Sequence, residues 1–234
     1  MSLELQPVGA ITCVRLGWSV ERRPVHAHVR ASGRRRVNLV LGAMHGDEPK
    51  SAYVAQRLIE TLAADAGADD GTAWVVIPLV NPDGHARRKR RNARQVDINR
   101  NFPTENWTRS SPRGRMYGGP SPASEPETRI VIRAVETYRP ARIVSIHSID
   151  SGRHCNNYDG PGRELAEAMS RLNGYPVRAS IGYPTPGSFG AWAGIERGIP
   201  TVTLELPSRE SPKKCWEMNR AALLCLKSSP TASL

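Results

Sequence analysis

The sequence predicts an α/β fold of three layers, with a mixed, mostly parallel central sheet flanked by helices. Three observations lead there. Short strand-like runs alternate along the chain with amphipathic helical patterns, as strand–helix–strand units do. Several of the runs are almost wholly apolar, which suits strands covered on both faces. The length of 234 residues is enough for one sizeable α/β domain, and no linker-like stretch divides it. Residues 1–234 are therefore expected to form a single domain, with the last few residues disordered.

The strand-like runs fall at 11–14, 25–31, 37–41, 74–79, 142–146, 177–180 and 201–206. The first two lie too close together for a helix between them, so an antiparallel hairpin at one sheet edge is expected. Helical periodicity appears at 50–64, where Val54, Leu58 and Leu62 share a face, and at 127–137, around Ile130 and Ala134. It recurs at 162–172, with Leu165, Ala168, Met169 and Leu172, and at about 214–226. Residues 81–100 and 102–125 carry no regular pattern and are rich in Arg, Asn, Pro, Gly and Ser. Loops this long inside a compact domain are usually functional or disordered, and these border the polar motifs described next.

Hydrophobic content of 39% and charged content of 24% are ordinary for a soluble globular protein. No apolar stretch reaches membrane-spanning length, and MSLELQPVGA lacks the basic and apolar regions of a signal peptide. Cys13, Cys155, Cys215 and Cys225 are scattered with no CxxC pair, so reduced thiols in a cytoplasmic protein are expected. The net charge of +11 comes largely from Arg34 to Arg36 and from RRKRRNAR at 87–94. Solvated loops explain the first run. For the second, nucleic-acid binding competes with a positive cleft that draws in a small acidic substrate. Its direct lead into VDINRNF favours the cleft, and no nucleic-acid partner is expected.

Four polar residues sit at the ends of strand-like runs. His45 and Glu48 follow VNLVLGAM three residues apart, His147 follows ARIVSI, and Glu205 lies inside TVTLELP. At the carboxyl edge of an open sheet these side chains can converge. Two nearby ligands and one distant one would leave the fourth position of a tetrahedral zinc open for water. The competing reading for His147 is a hydrogen-bonded core histidine. For Glu205 it is a salt-bridged strand-end carboxylate; the functional alternative is a general base. Asp97 suits support of a ligating imidazole through its ring N–H. Asn99 and Arg100 offer an amide and a forked cation for a substrate carboxylate. His26 and His28 alternate on a strand like a solvated edge, and His85 and His154 lie in loops without partners.

Together these fragments resemble the zinc carboxypeptidase family of metallopeptidases. The order is HGDE at 45–48, NPDG at 81–84, DINRN at 97–101, His147, the block YPTPGSFGAW at 183–192, and Glu205. The resemblance runs from about residue 37 to 207. It implies a zinc carboxypeptidase-like catalytic domain with one Zn2+ per chain held by His45, Glu48 and His147. It further implies Glu205 as base and acid, Asn99 and Arg100 on the terminal carboxylate of the leaving residue, and Tyr183 closing over the substrate. The oxyanion arginine is ambiguous among Arg87, Arg90, Arg91 and Arg94; Arg90 is preferred because RxNAR before VDxNRNF matches the murein peptide amidase A subgroup. HGDEP, the SEPET segment at 124–128 and the lead into LELP are also similar to that subgroup. The implied reaction is hydrolysis of the γ-D-glutamyl–meso-diaminopimelate bond of a small acidic wall tripeptide in the cytoplasm, during murein recycling. Gly190, in the specificity part of the tyrosine block, leaves room for a bulky leaving residue. Gln95 stands where that subgroup usually has glycine, and residues 147–162 do not match it. Alternatives are a carboxypeptidase or deacylase for another carboxylate-bearing amide, such as an N-acyl amino acid, and a basic nucleic-acid-binding protein on an inactive peptidase fold. Oligomeric state is not legible.

Overall fold

A computed structural model describes residues 10–33, 36–65, 71–150 and 152–227. Its strands are β1 (Ile11–Trp18), β2 (Pro24–Arg30), β3 (Arg36–Leu41), β4 (Thr72–Ile77), β5 (Arg142–Ile149), β6 (Cys155–Asp159), β7 (Val177–Arg178) and β8 (Thr201–Pro207). They join one sheet in the order β1-β2-β4-β3-β5-β8-β6-β7. The central strands β4, β3, β5 and β8 are parallel, as are β6 and β7. Antiparallel pairing of β1 with β2, β2 with β4 and β6 with β8 makes the sheet mixed. The helices are α1 (Pro49–Ala64), α2 (Pro82–Arg87), α3 (Pro126–Tyr138), α4 (Arg163–Asn173) and α5 (Pro212–Leu224). No helix among the described residues is long and apolar enough to cross a membrane. The four cysteines are free thiols.

Strand alternation sorts the core into two layers. Val40, Val144, Val202, Leu204 and Leu206 pack with Val54, Leu58, Leu165, Met169 and Leu223 of α1, α4 and α5 on one face. Leu39, Leu41, Val75, Ile77 and Ile143 pack on the other face with Ile130 and Val131 of α3 and with Phe102, Phe189 and Trp192. Burial on both sides explains the near-continuous apolar runs of β3 and β4. On β5 and β8 that second face turns polar towards the strand ends. Ser145 and His147 follow Ile143 at alternate positions, and Thr203 and Glu205 stand beside them in register.

The edge hairpin forms as expected, with β1 longer than the apolar run that announced it. Elsewhere the structure differs from the sequence pattern in several places. Strand β6, with the sequence CNNYD, has no apolar alternation, because Asn157 and Asp159 on its inner face line a polar cavity. The expected strand at 177–180 contracts to the two residues of β7. Residues 81–100 contain α2 and a 3-10 turn at Ile98–Arg100. Helix α5 begins at Pro212 under a Ser211 cap, whose hydroxyl accepts from Lys214 N–H. Arg34, Arg35 and the expected disorder of the last few residues lie outside the described residues.

Candidate metal centre

The junction from β3 to α1 places the first two site residues. The chain turns sharply at Ala43 (φ +45°), where Ser51 Oγ accepts from Ala43 N–H and donates to the Glu48 carbonyl. Gly46 is packed so tightly that an added Cβ would lie 2.3 Å from His85 N. Only glycine lets α2 come this close. Asn81 locks the arrangement, capping α2 through Gly84 N–H and donating to the Arg90 carbonyl. NPDG is thus a brace between the HGDE turn and the arginine loop.

His147, at the end of β5, meets this turn. His45 Nδ1 lies 2.7 Å from Glu48 Oε1 and 3.1 Å from His147 Nδ1, and His147 Nδ1 lies 3.1 Å from Glu48 Oε2. All three residues are buried. Donor atoms on a tetrahedral ion with bonds of roughly 2 Å stand about 3.3 Å apart, so this set fits zinc. The remaining ring nitrogens are occupied: His45 Nε2 lies 3.1 Å from Asp97 Oδ1, and His147 Nε2 lies 3.1 Å from Ser145 Oγ. Both rings therefore present Nδ1 to one point, an orientation that a partner on the far nitrogen enforces.

The charges agree with a cation site. Burial opposes ionisation of His45, yet Glu48 and Asp97 outweigh it and raise the imidazole to about 9. Burial penalises the Glu48 carboxylate, but His45 and His147 hold its pKa well below the usual range. Asp97 is likewise buried and held low, by His45 and then by Arg90. His147 moves the other way, lowered chiefly by burial, which leaves it neutral and ready to ligate.

A cavity of about 290 Å³ opens beside these three residues and is also bordered by Arg90, Asn99, Arg100, Tyr183 and Glu205. Of the four arginines left open by the sequence, Arg90 alone borders it. Its Nε donates to Asp97 Oδ2 at 2.9 Å, and Nη1 lies 3.6 Å from Glu48 Oε1. Arg87 pairs with Glu21, Arg91 donates to the Gln95 and Pro112 carbonyls, and Arg94 approaches Glu125. Asn99 accepts from Phe189 N–H through Oδ1, which leaves its amide NH2 for the cavity. Arg100 is buried without a carboxylate partner among the described residues, and its Nε has no acceptor. Tyr183 is 39% exposed at the rim. His26, His28, His85 and His154 do not border the cavity.

Glu205 is 6% exposed and neighbours His147 in register. Burial, reinforced by Glu48, raises its carboxyl to about 8. Among the described residues its side chain accepts no hydrogen bond and forms no ion pair. An unpaired carboxylate in a core costs several kcal/mol; beside a cation site it is a proton acceptor in waiting. Sequence reasoning passed over Ser145, whose signal was the alternation SxH on β5, and Asp159, which had none.

Comparison with known proteins agrees with this geometry. Residues 4–159 match the family model described as zinc carboxypeptidase. The protein named murein peptide amidase A in Escherichia coli K12 is 33% identical over 199 residues, covering 79% of this chain and 74% of its own. Its namesake in Vibrio campbellii is 33% identical over 218 residues, covering 84% and 80%. The crystal structure of murein-tripeptide amidase from Escherichia coli O157 superposes with a TM-score of 0.73 at 27% identity, covering 98% of this chain and 95% of that one. Carboxypeptidase A of Helicoverpa armigera shares the fold at a TM-score of 0.78 and 19% identity, over 95% of this chain and 70% of its own.

Proposed function

The chain belongs to the zinc carboxypeptidase family, a metallopeptidase, and we propose that it hydrolyses the γ-D-glutamyl–meso-diaminopimelate bond of small murein peptides. One zinc ion per chain would be held by His45, Glu48 and His147, within a single domain. When bound, the ion supplies Lewis acidity to the amide carbonyl and the attacking water. Glu205 takes a proton from that water as the new C–O bond forms, then delivers it to the nitrogen as the C–N bond breaks. Arg90, oriented by Asp97, donates to the oxyanion that develops on the carbonyl. Asn99 and Arg100 bind the α-carboxylate of the leaving residue, and Tyr183 closes the rim to exclude water. The reaction takes place in the cytoplasm, in recycling of wall peptides.

The observation that carries this reading is the pairing of a His/Glu/His donor set with a buried, unpartnered Glu205 in one cavity. The 33% identity to proteins named murein peptide amidase A supports the choice of bond. The test is hydrolysis of L-Ala-γ-D-Glu-meso-diaminopimelate by zinc-loaded protein. Glu205→Gln is expected to lower turnover by about 10³-fold, within the range for a lost general base and acid, while zinc stays bound. Chelation should abolish turnover in the parent protein. A folded, zinc-loaded protein that releases no diaminopimelate would move the reading to another carboxylate-bearing amide.

A further inference from the structure

The loop between the 3-10 turn and α3 sets a thioether against the cation assigned to the substrate carboxylate. Arg100 is 4% exposed, its Nη1 donates to the Asn99 carbonyl, and its Nε has no acceptor. Among the described residues the partner of Nη2 is the Met116 thioether, 3.6 Å away. Backbone contacts fix this pair. The Tyr117 carbonyl, next to Met116, accepts from Asp97 N–H at 2.7 Å. Gly118 lies so close that an added Cβ would be 2.3 Å from the Arg100 carbonyl oxygen. Met116 is thereby held beside Arg100, at a cavity of about 270 Å³ that Glu48, Arg90 and Tyr183 also line.

Packing does not explain a methionine here. Its side chain is 44% exposed, whereas a methionine that fills a gap in a core is enclosed. Met44 and Met169 are buried, and Met218 packs half-buried against the core. Among the described residues, Met116 is therefore the methionine that a dissolved oxidant meets first. In its reduced form the thioether is a weak acceptor, which leaves the guanidinium charge open to an incoming carboxylate. Oxidation changes that balance. Hydrogen peroxide transfers one oxygen to Sδ: the O–O bond breaks, an S–O bond forms, sulfur loses two electrons and the peroxide is reduced to water. The new oxygen is a strong acceptor, bonded to an atom already 3.6 Å from Nη2.

We infer that Met116 is an oxidation site whose sulfoxide engages Arg100 and competes with the substrate carboxylate. The sulfoxide oxygen is tethered beside the guanidinium, so it is present at every encounter, while the substrate must displace it. The effect falls on binding. The oxygen is directed at the carboxylate-binding cation, and Glu205 keeps its place for the proton transfers. Reversal needs a methionine sulfoxide reductase with a dithiol, which returns the thioether, releases the oxygen as water and becomes a disulfide. The inference rests on the reading of Arg100 as the carboxylate ligand, though not on the particular bond cleaved.

The test compares zinc-loaded parent and Met116→Leu proteins before and after dilute hydrogen peroxide, with dithiothreitol then added to restore the thiols. Peptide mass mapping should find the added oxygen on Met116 ahead of Met44, Met169 and Met218. In the oxidised parent, KM for L-Ala-γ-D-Glu-meso-diaminopimelate is expected to rise at least about tenfold with kcat little changed, as expected when a charge-assisted hydrogen bond to the substrate is lost. Methionine sulfoxide reductases for both epimers should restore it, and Met116→Leu should keep its KM through the same treatment. A second readout needs no turnover. The guanidinium nitrogen NMR signals of Arg100, assigned through its backbone, should shift on oxidation of the parent and stay in place in peroxide-treated Met116→Leu. Absence of turnover with that shift intact would overturn the proposed bond and leave this inference standing. An unmoved Arg100 signal, an oxidised parent with unchanged KM, or a Met116→Leu variant that weakens equally would overturn the inference.

Discussion

Replacing Asp159 by asparagine is expected to stabilise the folded protein, because the native residue is held against its own electrostatic preference. Burial moves its carboxyl from an ordinary value near 3.8 to about 6, which corresponds to about 3 kcal/mol against the charged form. The side chain retains contact with solvent through the cavity, so screening reduces this to about 1–2 kcal/mol. For a chain of this size that is a rise of about 2–8 °C in Tm. The sign follows from proton linkage. The folded state binds this proton more tightly than the unfolded chain, so the native deficit is complete above the folded value of about 6. It fades as pH falls towards 3.8. Urea denaturation of zinc-loaded parent and Asp159→Asn proteins at pH 8 and at pH 5 reads both features. The variant should be more stable at pH 8, with a smaller advantage at pH 5. Equal or lower stability of the variant at pH 8 would refute the reasoning, since it would mean that the carboxylate has a structural partner.

Two further outcomes follow from the same charges and backbone. His45 is raised to about 9 in the metal-free site, so at pH 7.5 zinc must displace its proton to reach Nδ1. Calorimetry in buffers of differing ionisation enthalpy should register release of about one proton from this residue, with affinity rising as pH approaches 9; proton-independent binding would contradict the His45–Glu48–Asp97 charge arrangement. Gln95 is an exposed residue in the left-handed region at φ +62°, a conformation that costs an L side chain about 1–2 kcal/mol. Gln95→Gly relieves that strain but adds freedom to the unfolded chain, for a net gain of about 0.5–1 kcal/mol; a loss on denaturation would show that the Gln95 side chain holds the loop.

The parts of this molecule legible in its sequence are those where one physical demand governs a run of residues. Strands β3, β4, β5 and β8 are covered on both faces along most of their length, so their apolar runs announced them, and the turn that leaves β3 and the polar end of β5 carried His45, Glu48 and His147 in plain view. The DINRN segment was readable as chemistry but not as conformation. Asp97 caps the 3-10 turn by accepting from Asn99 N–H while it also holds His45 and Arg90, and such triple duty leaves no periodic trace. Strand β6 was unreadable for the opposite reason. Its inward face lines the cavity with Asn157 and Asp159, so the alternation that marks a half-buried strand is missing. Asp159 went unnoticed because its burial depends on Gly190 and Gly194, some thirty residues later in the chain, and only folding brings them together.

The same distinction resolves the basic run at 87–94. Composition presents it as a positive surface, yet its arginines are largely engaged within the molecule. Arg87 pairs with Glu21, Arg91 crosslinks loop carbonyls, Arg94 approaches Glu125, and Arg90 is held by Asp97 beside Glu48. Asn92, between them, donates to both Glu125 and Glu127, so the SEPET segment anchors the loop to the start of α3. Here their charge stabilises an irregular loop that no apolar core could hold, and that loop carries Arg90 to the metal centre. The excess positive charge that faces the cavity comes down to Arg90 and Arg100, with Arg115 and Arg153 beyond them at its outer rim beside Tyr183. Against these stand Glu48 and Glu205 at the metal centre and Asp159 further along β6.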